Sequence, residues 1–189
     1  MVYFTSDLHL GHLSIPKYRE PFVDMKSHDE YILNKIEKLG KRDILIILGD
    51  FLFDGKHYDE YAERLRKVQC RLKLVMGNHD SLKLYKEDFV EIQLPLFSYK
   101  NYWLSHCPIH PHELRNRNGC LHGHLHKEKV LTNKYEYIET DEVYDSRYFN
   151  VNLDVNNYEF VLFEDIKKHF ENTEKEWNGI LKRNRRTNF

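Results

Sequence analysis

Two short segments of this sequence each carry a pair of potential metal ligands separated by one residue. Asp7 and His9 form the first pair, and His124 and His126, which follow Gly123, form the second. On an extended chain, side chains two residues apart point to the same side. Each pair could therefore supply two ligands to one metal ion.

Three more potential ligands follow short apolar runs. Asp50 comes directly after Gly49, Asn78 comes directly after Gly77, and His106 ends a further run. A set of carboxylate, imidazole and amide ligands suits Mn, Fe, Zn or Co better than Ca, which prefers oxygen alone. Two metal ions about 3.5 to 4 Å apart need roughly seven ligands with one bridging carboxylate. Asp50 is the natural bridge.

Each of these segments has an ordinary explanation when it is taken alone. An Asp-x-His pair is typical of surface or capping positions, and a Gly-Asp pair after a strand is common in turns. The combination argues against coincidence, because four separate apolar runs end in ligand-type residues and a fifth segment adds two more. In addition, six of the 12 histidines lie between His106 and His126.

The elements that must position these side chains are short, bounded apolar runs, which are typical of buried β-strands. The expected strands are Val2–Phe4, Ile44–Leu48, Leu72–Met76, Phe89–Leu96, Tyr102–Leu104, Cys120–His124, Tyr148–Val155 and Tyr158–Phe163. Alternation of strands and helices in the first half predicts parallel strands with crossover helices. The strand-rich second half predicts a more antiparallel portion. In open α/β sheets, ligands bind at the carboxyl ends of the strands, where the polar residues lie.

Three helices are expected. Ser27 and Glu30 have the spacing of a capping box, and an apolar stripe follows that ends at Gly40. This stripe consists of Ile32, Leu33, Ile36 and Leu39. The second helix is expected from a similar apolar stripe, which consists of Tyr58, Tyr61, Ala62, Leu65 and Val68. The third helix is expected over about 164–181, burying Ile166, Phe170, Trp177 and Ile180, and a basic tail over 182–189 should lie in solvent.

Length and composition indicate one folded domain. The chain has 189 residues, and its 29 basic and 30 acidic residues leave a net charge of -1. This charge predicts no general attraction to nucleic acid or membranes. The start, MVYFTSDLHL, lacks the basic region of a signal peptide, and no apolar run approaches the roughly 20 residues that span a bilayer. Three cysteines at irregular spacing suit a reducing compartment, so we expect a cytoplasmic protein without a membrane partner.

The ordered segments DLH, GD, GNHD, SH and GHLH, with RYFNVNLDV near the end, resemble the calcineurin-like metallophosphoesterase superfamily. The motifs extend from Asp7 to His126, and the opening DLHLGH is most similar to small bacterial or phage members. The resemblance implies an α/β fold, a four-layer αββα sandwich with mixed sheets. It also implies that residues 1–189 form a single calcineurin-like phosphoesterase domain.

The resemblance further assigns roles to individual residues. A first divalent ion would be held by Asp7, His9, Asp50 and His126, and a second by Asp50, Asn78, His106 and His124. Manganese is the expected ion, with Fe, Zn, Ni and Co as alternatives. Hydroxide held by the metals would attack the phosphorus atom, with Asp50 and His79 as catalytic residues and His79 assisting the leaving group.

The expected substrate is a phosphodiester, such as a nucleotide or a related small phosphoester. Phosphoprotein phosphatases carry Arg-Gly after the second motif and Glu directly after GNH. This sequence instead reads GDFLFDGKH and GNHD at these places, which argues against a protein phosphatase. The alternatives are a metal-dependent nuclease acting on DNA or RNA, a phosphomonoesterase and a non-catalytic metal-binding scaffold. The candidates for substrate contact are His12, Arg19, His110 and His112.

Overall fold

The computed structural model describes residues 1–131 and 144–172. Its strands are β1 (Val2–Thr5), β2 (Ile44–Leu48), β3 (Arg71–Val75), β4 (Val90–Gln93), β5 (Leu96–Tyr99), β6 (Tyr102–Ser105), β7 (Gly119–His122), β8 (Tyr148–Asn150) and β9 (Val161–Leu162). Its α-helices are α1 (Met25–Glu37), α2 (Tyr58–Leu65) and α3, which is described over 163–172. Short 3-10 helices span Ile15–Tyr18, Leu82–Lys86, Pro111–Glu113 and Leu153–Val155.

The first sheet has the strand order β4-β3-β2-β1-β9. Its first four strands are parallel, with Phe4 opposite Ile46 and Ile47 opposite Leu74, and β9 adds an antiparallel edge. Helix α1 connects β1 to β2, and α2 connects β2 to β3. The predicted parallel strands with crossover helices are therefore confirmed.

The second sheet has the order β5-β6-β7-β8, and only the pair β5–β6 is antiparallel. The second half is therefore more antiparallel than the first, as expected, since β9 also pairs antiparallel, but two of the three pairs in this sheet are parallel. Parallel neighbours need a long connection that returns the chain to the same end. The sequence segments 106–118 and 123–147 have the length that such a connection needs. Neither carries an amphipathic helix pattern like those of the first half, so nothing in the sequence indicated parallel pairing.

The core lies on both faces of the first sheet. On one face, α1 and α2 pack against the strands through residues such as Ile32, Leu33, Tyr61 and Leu65. The other face packs against the second sheet, and α3 joins this cluster of Phe4, Ile46, Leu48, Val75, Tyr102, Leu104, Leu121, Val151, Phe163, Ile166 and Phe170. The expected α/β sandwich with two mixed sheets is confirmed, as is the burial of Ile166 and Phe170.

Some element boundaries differ from those expected. Asp24, not Ser27, caps α1. The Asp24 carboxylate accepts a hydrogen bond from the Ser27 backbone N–H at 2.7 Å, and the Ser27 hydroxyl oxygen accepts one from the Asp24 backbone N–H. The expected strand Phe89–Leu96 is two strands in different sheets, since Pro95 separates them.

The third-helix residues Trp177 and Ile180 and the tail 182–189 lie outside the described residues. Within the described ranges, none of the helices combines the length and the apolar content that crossing a bilayer requires.

Candidate metal centre

The seven expected metal ligands lie at one end of the two sheets. They follow β1 (Asp7, His9), β2 (Asp50), β3 (Asn78), β6 (His106) and β7 (His124, His126). Backbone hydrogen bonds join the loops: the N–H of Asp7 donates to the Gly49 carbonyl at 2.9 Å, and that of His9 to the Asp50 carbonyl at 2.8 Å. Because these strands end at the same edge, residues far apart in sequence meet there.

A first cluster forms around Asp7. Ligand atoms of Asp7, His9 and His126 lie within 4.8 Å of one another. The Nε2 atom of His9 is 3.9 Å from Oδ1 of Asp7 and 3.7 Å from Oδ2 of Asp50. The Nε2 atom of His126 is 3.9 Å from the same Asp7 oxygen. These four residues form the set expected for the first ion.

A second cluster adjoins the first through Asp50, whose Oδ1 lies 3.5 Å from Nε2 of His106. That nitrogen is 3.0 Å from Oδ1 of Asn78 and 3.2 Å from Nδ1 of His124. Two nitrogens that are each about 2.1 Å from one ion lie about 3.0 to 3.4 Å apart, so this spacing suits a shared ion. The exposed Cys107 also groups with His106 and His124.

Five of the seven expected ligands have a left-handed backbone, which residues other than glycine rarely adopt. The φ angles are 56° for Asp7, 51° for His9, 53° for Asp50, 67° for His124 and 49° for His126. The two pairs spaced by one residue are therefore not extended, contrary to the prediction. Left-handed turns, not strand alternation, direct both members of each pair into the centre. Such turns cost about 1 to 3 kcal/mol each and persist where the surroundings hold them, as the hydrogen bonds between the loops do here.

Two glycines permit the close approach of the ligand loops. Gly49 has a φ of 89°, and a Cβ atom built there would lie 2.2 Å from Nδ1 of His106. A Cβ atom at Gly77 would lie 2.2 Å from Oδ1 of Asp50. A side chain at either position would therefore displace a ligand.

The donor set fits divalent metal ions. His9 is buried, and neither of its ring nitrogens has a hydrogen-bond partner in the part of the chain that the structure describes. Unpaired buried polar atoms are costly, and a metal ion would bind the lone pair of the ring nitrogen that carries no hydrogen. Burial lowers the pKa of His9 to about 2, which keeps the ring in the neutral, ligating form. Nδ1 of His106 donates to the Leu48 carbonyl at 2.8 Å, which leaves Nε2 as the ligand atom.

Asp80 organises the backbone that carries Asp50. Its carboxylate accepts hydrogen bonds from the N–H groups of Asp50, Phe51, Leu52 and Gly77, at 3.0, 2.6, 3.1 and 2.7 Å. Burial raises the pKa of Asp80 to about 6, although these hydrogen bonds favour its charged form. Sequence reasoning assigned this residue no role, and its place at the end of the GNHD motif is the signal that points to it.

Arg19 is buried and bonded to protein groups, so its position gives no support to the expected contact with phosphate. Its side chain is buried, and its guanidinium donates to Asp154 from Nε at 2.9 Å and to the Asp7 carbonyl from Nη2 at 2.6 Å. Asp154 in turn accepts a hydrogen bond from Nδ1 of His126 at 2.6 Å. Sequence reasoning also missed Asp154, although it lies in the RYFNVNLDV segment.

A cavity of about 550 Å³ opens beside the first cluster. It is lined by His9, His12, Ile15, Tyr18, His79, Leu125, His126, Lys127, Glu128 and Asp154. The N–H of His79 donates to Oδ1 of Asp50 at 2.9 Å, and the His79 ring lies 5.4 Å from the His9 ring and 5.9 Å from the His12 ring. The structure thus brings both His79 and His12 to the wall of a cavity at the proposed metal centre.

His110 and His112 lie elsewhere. Both are exposed, their rings stack at 5.4 Å, and Nδ1 of His110 accepts a hydrogen bond from the His112 backbone N–H at 3.3 Å. His110 thereby caps the 3-10 helix Pro111–Glu113. Neither residue lines the cavity beside the cluster, so the expected substrate contact has no support from their positions.

Comparison with known proteins adds independent information. A family model described as calcineurin-like phosphoesterase matches residues 1–185. An uncharacterized protein of Methanocaldococcus jannaschii is 25% identical over 172 residues, which cover 90% of this chain and 91% of that protein. The gene 66 protein of Mycobacterium phage L5 is 25% identical over 164 residues, covering 69% of this chain and 79% of the phage protein.

Among solved structures, a protein of unknown function from Aquifex aeolicus is similar, with a TM-score of 0.64 and 26% identity. The similarity covers 89% of this chain and 98% of the Aquifex chain. The family match extends over nearly the whole sequence, and the His and Asp clusters could bind the metal on which this family depends. The chain therefore belongs to the calcineurin-like phosphoesterase family and is a phosphoric ester hydrolase.

Proposed function

We propose that this chain hydrolyses phosphodiesters of small organic molecules, nucleotides among them, with two divalent metal ions. The observation that carries the proposal is the pair of ligand clusters that share Asp50. The residues that would hold the ions are Asp7, His9, Asp50 and His126 for the first and Asp50, Asn78, His106 and His124 for the second. Bound ions, manganese first among them, would supply Lewis acidity toward phosphate oxygens and a water of lowered pKa.

The charges of the centre suit an anionic substrate. Two divalent ions would contribute a charge of +4, and the carboxylates of Asp7 and Asp50 contribute -2. Both carboxylates are nearly inaccessible to solvent, at 0% and 2% exposure. A positive centre would therefore form within a chain whose net charge is only -1, because a bound cation is the largest local charge in such a site.

His79 is the candidate proton donor to the leaving group. Its backbone N–H donates to the Asp50 carboxylate, which fixes the start of its side chain relative to the shared ligand. Its ring is exposed and faces the cavity beside His9. A proton held on this ring could pass to the departing oxygen, as in general acid catalysis.

The cavity favours a substrate with an organic substituent. Its volume of about 550 Å³ lies in the range of small-molecule sites, about 300 to 1,000 Å³. Ile15, Tyr18 and Leu125 form an apolar part of the wall, and Lys127 adds a cation. An aromatic or aliphatic group attached to the phosphate would fit against these side chains.

Hydrolysis of bis(p-nitrophenyl) phosphate and of p-nitrophenyl phosphate tests the proposal. The protein is stripped of metal by chelation and reloaded with Mn, Ni, Zn or Fe. We expect metal-dependent turnover of the diester that Asp50→Ala abolishes. His79→Asn should lower kcat by about 10²- to 10⁴-fold without loss of bound metal. The control His57→Asn changes a histidine outside this cavity. It should leave both kcat and the amount of bound metal unchanged.

Other outcomes would overturn the proposal in distinct ways. Turnover of the monoester alone would indicate a phosphomonoesterase. Cleavage of DNA or RNA oligonucleotides without turnover of either small ester would indicate a nuclease. Two bound ions per chain with no hydrolysis of any ester would indicate a metal-binding scaffold.

A further inference from the structure

Asp154 lies between a proposed metal ligand and a buried cation. Its Oδ2 accepts a hydrogen bond from Nδ1 of His126 at 2.6 Å, and its two oxygens accept from Nε and Nη2 of Arg19 at 2.9 and 3.2 Å. The exposure of the Arg19 and Asp154 side chains is 0% and 4%. A hydrogen bond at Nδ1 orients the His126 ring and leaves Nε2 as the ligand atom. Nε2 is the nitrogen that faces Asp7.

Arg19 also holds the segment that carries the other ligands of the first cluster. Its Nη2 donates to the Asp7 carbonyl at 2.6 Å, and its Nη1 lies 3.5 Å from the Leu8 carbonyl. These carbonyls belong to the left-handed turns that direct Asp7 and His9 into the centre. One guanidinium therefore contacts the ligand segment after β1 and, through Asp154, the ligand from the second sheet.

Further buried groups hold Arg19 itself in place. Nη1 of Arg19 donates to Nε2 of His28 at 2.7 Å, and Nδ1 of His28 donates to Asp29 at 2.7 Å. The Asp29 carboxylate then accepts a hydrogen bond from the Gly11 N–H at 2.9 Å. These buried groups thus fix the position of the guanidinium.

The second cluster has different support. His106 is oriented by the Leu48 carbonyl, and within residues 1–131 and 144–172 no direct hydrogen bond or ion pair connects Asn78, His106 or His124 to Arg19 or Asp154. The backbone N–H of His124 meets the first cluster at the Asp7 carboxylate, at 3.0 Å, whereas Arg19 bonds to the Asp7 carbonyl. Changes at the Arg19–Asp154 pair should therefore act on one ion and not on the other.

We propose that Arg19 and Asp154 are positioning residues for the ion of the first cluster and that they control its affinity independently of the second ion. This inference rests on the proposed two-metal function. Loss of the hydrogen-bonded partner behind a metal-ligating histidine weakens metal binding by about 10- to 100-fold.

Calorimetric titration of the metal-free protein with Mn²⁺ tests the inference. The wild-type chain should bind two ions. Asp154→Asn should raise the Kd of one ion by about 10- to 100-fold and leave the other Kd nearly unchanged. Because this variant leaves the buried Arg19 charge without a charged partner, the double variant Arg19→Gln/Asp154→Asn is measured beside it. Circular dichroism shows that each variant is folded.

Asp145→Asn is the matched control. Asp145 forms the same forked pair with Arg147, at 2.9 and 2.6 Å, and its side chain is 5% exposed. This pair makes no hydrogen bond or ion pair with a proposed ligand in the described part of the chain, so both Mn²⁺ constants should stay as in the wild type. His126→Asn should weaken the same ion as Asp154→Asn. The two effects should be less than additive, because Asp154 acts through His126.

Unchanged Mn²⁺ constants in folded Asp154→Asn would overturn the inference, as would equal weakening of both ions. If Asp145→Asn weakened Mn²⁺ binding as much as Asp154→Asn does, the effect would be a general loss of stability, and the inference would also be overturned. A wild-type chain that binds fewer than two ions would overturn the proposed two-metal function itself, so the two failures are distinguishable.

Discussion

The carboxylate of Asp80 accepts a hydrogen bond from the backbone N–H of Asp50, at 3.0 Å. It also accepts from the N–H groups of Phe51 and Leu52. In the opposite direction, the Asp50 carboxylate accepts from the N–H of His79, at 2.9 Å. The turns after β2 and β3 are thus joined twice, each time by a carboxylate of one turn and a backbone amide of the other. The proposed shared metal ligand and the candidate proton donor are held in this way relative to each other.

We expect Asp80→Ala to lower the free energy of unfolding by about 2 to 4 kcal/mol, because four N–H groups lose a charged acceptor. Urea denaturation measures this loss. Asp54→Ala is the control, since Asp54 pairs with Lys83 and both side chains are more than half exposed. Exposed pairs contribute about 0 to 1 kcal/mol. Similar losses in the two variants would contradict the role given to Asp80.

Gly77→Ala tests the close packing of the ligand loops. The new Cβ atom would lie 2.2 Å from Oδ1 and 2.4 Å from the backbone nitrogen of Asp50, so Asp50 must move. We expect diester turnover to fall by about 10²-fold, the effect of a displacement of about 1 Å in an active site, with the circular dichroism spectrum unchanged. In the control Gly55→Ala, the Cβ atom would meet Phe53 at an ordinary 3.6 Å. Full activity in Gly77→Ala would show that the loops tolerate the displacement.

His28 couples stability to pH. Burial lowers its pKa in the folded protein, although the hydrogen bond to Asp29 acts in the opposite direction. In the unfolded chain a histidine has a pKa of about 6.5. Between this value and the lower folded value, the unfolded state binds a proton that the folded state does not bind. Stability should therefore fall as the pH is lowered below about 6.5.

The free energy of unfolding of the metal-free protein, measured in urea at several pH values between about 7 and 5, checks this expectation. His28 should contribute a slope of up to about 1.4 kcal/mol per pH unit. His28→Gln should make the profile shallower, whereas His110→Gln, at an exposed position, should not change it. Identical slopes in the wild type and His28→Gln would contradict the burial of a neutral ring.

The convergence of the proposed ligand residues could be predicted from the sequence because each one follows an apolar run that marks a strand. Parallel strands end at a common edge, so local motifs were sufficient to place distant residues together. His124 lies 117 residues after Asp7, yet its N–H donates to the Asp7 carboxylate at 3.0 Å. The left-handed conformations of both residues could not be located from the sequence, because aspartate and histidine are only enriched in this conformation and the contacts that hold them here are tertiary.

Long-range pairs of charged residues could not be predicted either. Arg19 lies among charged and proline residues typical of a surface loop, and its partner Asp154 is 135 residues away. The start of α1 was placed wrongly, at Ser27 and not at Asp24, for a related reason. Ser27 has suitable capping partners on both sides, and the structure pairs it with Asp24, while Glu30 pairs with Arg64 at 2.6 Å. Only the packing of α1 against α2 distinguishes these pairings.

Electron paramagnetic resonance of the Mn²⁺-loaded protein tests most directly the central claim that Asp50 is shared by two ions. Two Mn²⁺ ions bridged by one carboxylate at about 4 Å are magnetically coupled. At two equivalents of Mn²⁺ we predict the multiline spectrum of a coupled pair, and we predict that Asp50→Ala abolishes it. The six-line spectrum of isolated Mn²⁺ from the wild-type protein at two equivalents would contradict the claim.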